Sequence, residues 1–517
     1  MRTLLLVCLA AVGLSGPLAH AQTPPNALIV GQIAEPKSLD PHAVTAVNDF
    51  RILMNVYDGL VRYADGTLEV EPALATDWEI SDDGTVYTFT LREGVTFHDG
   101  SALTAEVVKF NFDRMLDADH PYHDTGPFPL SFFFSAIDTV EAIDATTVRF
   151  TLDAPYAPFL SNLAYPTGLI VSQAAVETHG AEFGRNPSGT GAYAFGEWVP
   201  NQRVVVERNA DYWDGAPPLD AVIFRPITDA NTRLAEMLSG GLDVMVEVPP
   251  DSVARFADDP AFTVHEQAGP HLWFLILNTR EGPFADPRIR RAANYAIDKG
   301  AIVDNILQGT AEIADGPTPP AFAWAHNEAL EPYPHDPEQA RALLQEAGYD
   351  GETVTFFVTE GGSGMLDPVA MGTAIQADLE AVGMDVDIQT YEWNTFLGEV
   401  NPGLEGKADM AQMAWMTNDP DTLPYLALRT EAWPEAGGFN SGYYSNEEVD
   451  RLLEAARTAT DQARRAELYK EMQEIVHADA PWVFVANWKQ NAVTRAGVTD
   501  FALQPSFFLM LQDVGKQ

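Results

Sequence analysis

The sequence predicts an α/β protein built on two or three hydrophobic cores. Three observations carry this. Short strands and helices alternate along the chain with no repeat of fixed period. Two continuous apolar strands, 271–277 (HLWFLIL) and 482–486 (WVFVA), lie far apart in sequence, and each reads as buried on both faces. Setting aside 21 N-terminal residues still leaves 496, whereas a single core stops growing near ~250–300 residues. A hydrophobic content of 46%, with 27 Phe, 16 Tyr and 10 Trp, supplies the material for such cores and argues against disorder.

The chain opens with Arg2, an apolar run from Thr3 to Leu14, and Ala19-His20-Ala21 as a small-x-small cleavage signal before Gln22. This pattern predicts a secretory signal peptide over 1–21, too short and wrongly flanked for a membrane span. The only cysteine, Cys8, lies within it. A lipoprotein reading leaves about five apolar residues before Cys8, too few for a signal core. The mature chain is therefore expected in an extracytoplasmic space, the periplasm, without disulfide or thiol chemistry. No later segment reaches the roughly 18 uninterrupted apolar residues of a membrane helix, so no direct membrane insertion is expected.

Ala27 to Gly31 reads as the first strand. Val86 to Leu91 alternates apolar and polar residues, as a half-buried strand does. Val140 to Leu152 reads as two strands around a turn at Asp144, and Gln202–Glu207 and Ala221–Arg225 as further strands. Thr228 to Leu238 suits a helix and Asp243 to Val248 a strand. Asp286-Pro287 opens a helix with Ile289, Ala293 and Ile297 on one face. Asp336-Pro337 opens another, containing Leu343 and Leu344 and stopped at Gly348. Asp caps free amides at N-cap, Pro fits N1, and Gly takes the left-handed position after the last turn. Two amphipathic helices fill Asn446 to Ala478, parted near Thr458–Thr460.

Removing Arg2 leaves 29 basic against 75 acidic side chains, a formal net charge of −46. Such a surface repels nucleic acid and anionic membrane. The acids are spread along the whole chain, so they read as a solvated shell that maintains solubility rather than as a cation-binding site. The segment Asp117 to Asp124, with His120 and His123, has donors of a type that hold metal, but it lacks the glycine and spacing of a calcium loop and reads as an exposed polar loop. No metal or other cofactor is expected. No catalytic residue is assigned: there is no Gly-x-Ser-x-Gly elbow, no His-Glu-x-x-His and no cysteine after residue 21. A secreted hydrolase with dispersed carboxylates stays open as a second class.

Seven segments occur in an informative order: SLDPH at 38–42, YDGLVRY at 57–63, FTLREGVTFHDGSALTAEVVKFNFDRML at 89–116, PSGTGAYAF at 187–195, ERNADYWDG at 207–215, LNTREGPFADPRIRRAANYAID at 277–298 and YPHDPEQARALLQEAGY at 333–349. With them the chain resembles the family 5 extracellular solute-binding proteins of ABC transporters, which include dipeptide, oligopeptide and nickel binders. The resemblance implies a two-lobed periplasmic-binding-protein fold, class II-like and of cluster C, with ligand enclosed between the lobes. Two crossover strands join the lobes, and the first lobe carries an extra subdomain. The first lobe is expected over about 22–270, with the subdomain at about 57–180 and a return at 488–517, and the second over 271–487. The implied function is capture of a peptide or other small solute by a monomer and delivery to the membrane permease of an ABC importer. A nickel chelate, an opine-like compound or another small organic solute are alternative ligands, and presentation to a membrane receptor suits the same fold.

The resemblance also implies site residues. In peptide-binding members a Trp, matched by Trp415, is followed three positions later by an Asp that accepts the peptide ammonium. Here that position is Asn418, and the family's Asp-Pro-Asp stands closer, as Asp419 to Asp421. Three readings stay open: Asp419 supplies the charge after a loop shift, the site does not read a free amino terminus, or Asp419-Pro420 simply starts a turn. The arginine that dipeptide binders place after the strand matching 354–359 is missing from Glu360–Gly364, whose glycines can instead admit a ligand close to backbone N–H groups. Thr190 and Gly191, in PSGTGA, resemble a glycine loop at the cleft edge. They do not form a phosphate loop, since no Lys-Ser/Thr follows. Trp393 matches an aromatic near the cleft. Trp273 faces either ligand or core, and its all-apolar strand favours core.

Overall fold

A computed structural model describes residues 26–362 and 364–517, so the export segment expected at 1–21 lies outside the described residues. The expected punctuation holds. Asp286 accepts the Arg288 N–H ahead of helix Pro287–Ala296, and Asp336 accepts from Glu338 and Gln339 ahead of helix Pro337–Ala347. Gly348 ends the latter with φ 74°, where a side chain would be strained. The paired helices near the C-terminus are Glu447–Thr458 and Gln462–Asp479. Among the described residues no helix is long and apolar enough to cross a membrane.

The fold is two-lobed. One sheet runs through both lobes, in the order 385–391, 353–359, 410–416, 271–277, 482–495, 244–246, 27–32, 221–226, 203–208, 193–199. The parallel pairs 27–32 with 221–226 and 353–359 with 385–391 mark the α/β half of each lobe. A separate four-stranded antiparallel sheet, Ala75–Ile80, Val86–Leu91, Thr147–Leu152 and Ile137–Ala142, forms the subdomain of the first lobe.

The strand at the centre differs from its expectation in length. The apolar pattern ends at Ala486, yet the strand runs Trp482–Arg495. Its first half pairs with 271–277 and its second half with 262–268 and 244–246, so it passes from one lobe to the other. The polar residues in its middle are satisfied where the lobes meet: Asn487 Nδ2 donates to the His271 carbonyl at 2.8 Å and Asn491 Nδ2 to that of Val248 at 3.1 Å. The second crossing is the short link between strands Phe262–Ala268 and His271–Leu277. All seven residues of the latter are buried, as its sequence predicts. Trp273, Leu275, Phe356 and Ile375 belong to a core in the second lobe, while a larger core runs from Phe50, Phe89, Phe150 and Val222 across to Leu452, Tyr469 and Trp482.

Candidate ligand-binding cleft

The helix Val47–Val56 sets one wall. Its sequence, VNDFRILMNV, carries Asn48, Arg51 and Asn55 spaced to fall on one face, while Asp49 turns away to accept the Lys37 N–H at 2.6 Å. Asn55 is consumed structurally, since its amide donates to Arg51 and Leu509 carbonyls and accepts the Leu511 N–H. Arg51, with 3% of its side chain exposed, donates from Nε to the Phe507 carbonyl at 3.2 Å and from Nη1 to Glu247 Oε1 at 2.6 Å. Asn48 Oδ1 is buried without a partner.

Two adjoining chambers, of about 340 and 670 Å³, lie between this wall and the second lobe. Thr45, Tyr165, Trp415, Met416 and Phe439 border both. The smaller chamber is faced by Tyr63, Phe132, Phe133 and Tyr165 from the first lobe and by Trp415 and Phe439 from the second. No charged side chain borders it. The larger is bordered by Arg51, Glu247, His271, Trp393 and Trp488. Burial lowers the His271 pKa to about 4, and its bond to the Gly364 carbonyl offsets this only in part. The ring is therefore neutral. Nε2 donates to Gly364 at 2.9 Å and Nδ1 accepts the Trp488 N–H at 3.2 Å. Three of the nine non-glycine residues with positive φ, Glu247, Leu366 and Phe507, border this chamber, and such backbone strain concentrates at ligand sites.

The expected site residues divide. Trp415 is half-buried between the chambers, edge-on to Phe439 with ring centroids 5.4 Å apart. Trp393 stacks on Phe396 and lies so close to Gly362 that a Cβ there would sit 2.4 Å from its ring. Asn418 borders the smaller chamber and spans the lobes, its Nδ2 donating to Asn162 Oδ1 at 2.7 Å while its Oδ1 accepts from Thr422.

Asp419 and Asp421 do not border either chamber. Asp419 is 1% exposed and accepts from Arg465 Nη2 at 2.7 Å, Ser161 Oγ at 2.9 Å and the Asp421 N–H at 2.9 Å. Burial opposes the Arg465 charge, but Asp419 and Tyr469 outweigh it and hold its pKa above the ordinary value. An internal arginine thus already pairs with the carboxylate that the loop-shift reading would turn toward the ligand. Asp419 also accepts the Asp421 N–H within its own turn, ahead of helix Thr422–Ala427. Asp421 pairs with Arg457 at 2.9 Å. Burial raises its pKa to about 6 against the pull of Arg457, and the nearby Asp419 adds to the rise.

Thr190 and Gly191 are likewise placed in the scaffold. Thr190 Oγ1 donates to buried Asp58 at 2.7 Å, beside donations from Tyr212 and Trp213. A Cβ on Gly191 would come within 2.6 Å of the Asn55 carbonyl, so the loop needs glycine to pack on the end of helix Val47–Val56, not to admit ligand. Trp273 is wholly buried in the second-lobe core, its Nε1 donating to the Met365 carbonyl at 3.1 Å, and it does not reach the cleft. Arg51, Glu247, Asn48, Tyr165 and Phe439 were not foreseen. The one available signal was the stripe of Asn48, Arg51 and Asn55 on one face of a mostly apolar helix.

The family described as bacterial extracellular solute-binding proteins, family 5 Middle, matches residues 69–434. The chain is 32% identical over 505 residues to di/tripeptide-binding protein 2 of Pseudomonas aeruginosa strain UCBPP-PA14, covering 94% of each. It is 34% identical over 455 residues to heme-binding protein A of Haemophilus influenzae, covering 84% of this chain and 81% of that one. The solved structure of HbpA2 from Haemophilus parasuis superposes with a TM-score of 0.88 at 30% identity, covering 95% of this chain and 100% of that one.

Proposed function

The chain belongs to the family 5 bacterial extracellular solute-binding proteins, and on that premise we propose that it captures a peptide-sized solute between its lobes and passes it to the permease of an ABC importer. The cleft carries this reading. It is walled by both lobes and lined by aromatic rings, and behind it two hydrogen bonds cross from lobe to lobe, Ser161 to Asp419 and Asn418 to Asn162. These bonds form only when the lobes are together. A ligand that touches both walls therefore binds the closed state more tightly than the open one and shifts the population toward it. On this reading the links at 268–271 and 486–489 act as the hinge, with the lobe boundaries expected near 270/271 and 487/488.

A peptide is the leading ligand, supported by the relative named a di/tripeptide-binding protein and by polar groups set among aromatic ones in the cleft. Export through residues 1–21, a periplasmic location and a monomeric state belong to the same reading. The family is one of binding proteins and not of enzymes, so recovered ligand is expected to leave the protein chemically unchanged. The test is native mass spectrometry of protein purified without refolding, followed by solution scattering with the recovered solute. A bound solute and a radius of gyration that falls at saturation are expected. Reproducible turnover of the solute, abolished by a cleft substitution, would move the protein to the hydrolase class.

A further inference from the structure

Among the described residues, Arg51 and Glu247 are the only formally charged side chains that border the two chambers, and they stand side by side at 2.6 Å. Neither is exhausted by the other. Arg51 uses Nε and Nη1, and no acceptor faces its Nη2 among the described residues. Glu247 uses Oε1, and no donor faces its Oε2 among the described residues. Asn48 Oδ1, one helical turn before Arg51, is buried without a partner and belongs to the same chamber. Glu247 holds φ at 53°, a left-handed conformation that a non-glycine residue keeps only where the surroundings enforce it.

We propose that this pair receives an α-amino-acid head group, an ammonium and a carboxylate borne on one carbon, whose apolar body extends into the aromatic chamber. The inference deepens the solute-capture reading and rests on it. The ligand carboxylate lies against Arg51 Nη2, and its ammonium lies against Glu247 Oε2 and Asn48 Oδ1. Four charges then alternate in sign, and each is paired twice. Arg51 and Glu247 sum to zero, with the Arg233 guanidinium behind them, its Nη2 donating to the Glu247 backbone carbonyl at 3.4 Å; at the chamber a ligand end with a single charge would be attracted by one member of the pair and repelled by the other. A ligand with both charges on adjacent atoms gains from both. In an ordinary α-linked peptide the ammonium and carboxylate stand at opposite ends. Only one can meet this pair, and the other would be buried where no counter-charge lines the wall. Trp415, Tyr165 and Phe439 border both chambers, so a body attached to the head group has a continuous aromatic path.

Two isomers of equal composition and charge test this by calorimetry on the mature protein: γ-glutamyl-p-nitroanilide, which keeps the head group intact, and α-glutamyl-p-nitroanilide, which separates its charges. The γ isomer is expected to bind at least about tenfold more tightly. Glu247→Gln is nearly isosteric and should narrow the difference to about threefold or less, as should Arg51→Met. Circular dichroism confirms that each variant is folded. The proposal is overturned if the α isomer binds as tightly as the γ isomer, or if a folded Glu247→Gln protein discriminates as the parent does. If neither isomer binds while mass spectrometry recovers another solute from the cleft, the head-group assignment fails and the capture reading stands. If no solute is recovered and scattering never changes, the capture reading itself fails.

Discussion

Asp419→Asn tests whether that carboxylate belongs to the ligand or to the fold. Asp419 and Arg465 are 1% and 8% exposed, so solvent screens their interaction weakly. Removing one partner of a buried pair leaves the other charge uncompensated, at a cost of about 3–5 kcal/mol. Asparagine keeps one acceptor oxygen for the Asp421 N–H and turns an NH2 donor toward Ser161 Oγ, which can accept it, and Tyr469 remains within 3.2 Å of Arg465. The expected loss is therefore at the low end, about 3 kcal/mol. Because the lobes can unfold separately, urea midpoints should be compared by two probes, Trp fluorescence and far-ultraviolet circular dichroism. Adding Arg465→Met removes the orphaned cation and should recover part of the loss, since apolar replacement of a whole buried pair is often neutral. Ligand affinity, measured by calorimetry below the transition, should change less than threefold, roughly 0.6 kcal/mol. The reasoning is refuted if Asp419→Asn unfolds with the parent yet loses affinity by about tenfold or more. In that case the carboxylate would be facing ligand and the arginine would be incidental.

Three further outcomes follow from the same geometry. Gly191→Ala should lower the unfolding midpoint, because its Cβ would meet the Asn55 carbonyl at 2.6 Å. A loss of about 1–3 kcal/mol fits such overpacking, and an unchanged midpoint would show that the loop can yield. Ligand-induced fluorescence change should be reduced in Trp415→Phe and retained in Trp273→Phe, since Trp415 borders both chambers and Trp273 lies in the core; the reverse pattern would put Trp273 at the ligand. Burial pushes the Asp421 pKa up to about 6 from the ordinary value near 3.8. Between those values the folded state holds a proton that the unfolded state releases, so this group's contribution to stability falls as pH rises from about 4 to 6, by about 2–3 kcal/mol. Asp421→Asn should remove this falling contribution from the stability profile, leaving Asp49, which burial also raises to about 6, opposed by His42 and His271, whose pKa values burial lowers to about 4 and whose contributions rise with pH. Parallel parent and variant profiles over that range would count against a raised Asp421.

What was legible in the sequence was what local physics decides. Asp-Pro starts, the glycine stop at 348 and the all-apolar strand 271–277 needed no knowledge of distant residues, and the structure has them where they were expected. The strand from Trp482 was cut short at Ala486 because hydropathy registers Asn487 and Asn491 as polar. It cannot register that their amides meet the carbonyls of His271 and Val248, which lie more than 200 residues away. The site failed to read for the same reason. A carboxylate is a ligand anchor or a structural strut according to which cation reaches it, and that is a property of tertiary contact. Arg465 reaches Asp419 from a helix 46 residues on, and Arg51 reaches Glu247 across 196. Resemblance carried the position of Asp419 forward but not its partner. On the proposed reading, charge recognition lies on the opposite wall, at Arg51. Its pair with Glu247 is by itself weak support for stability, and its Nη2 is left over for something else.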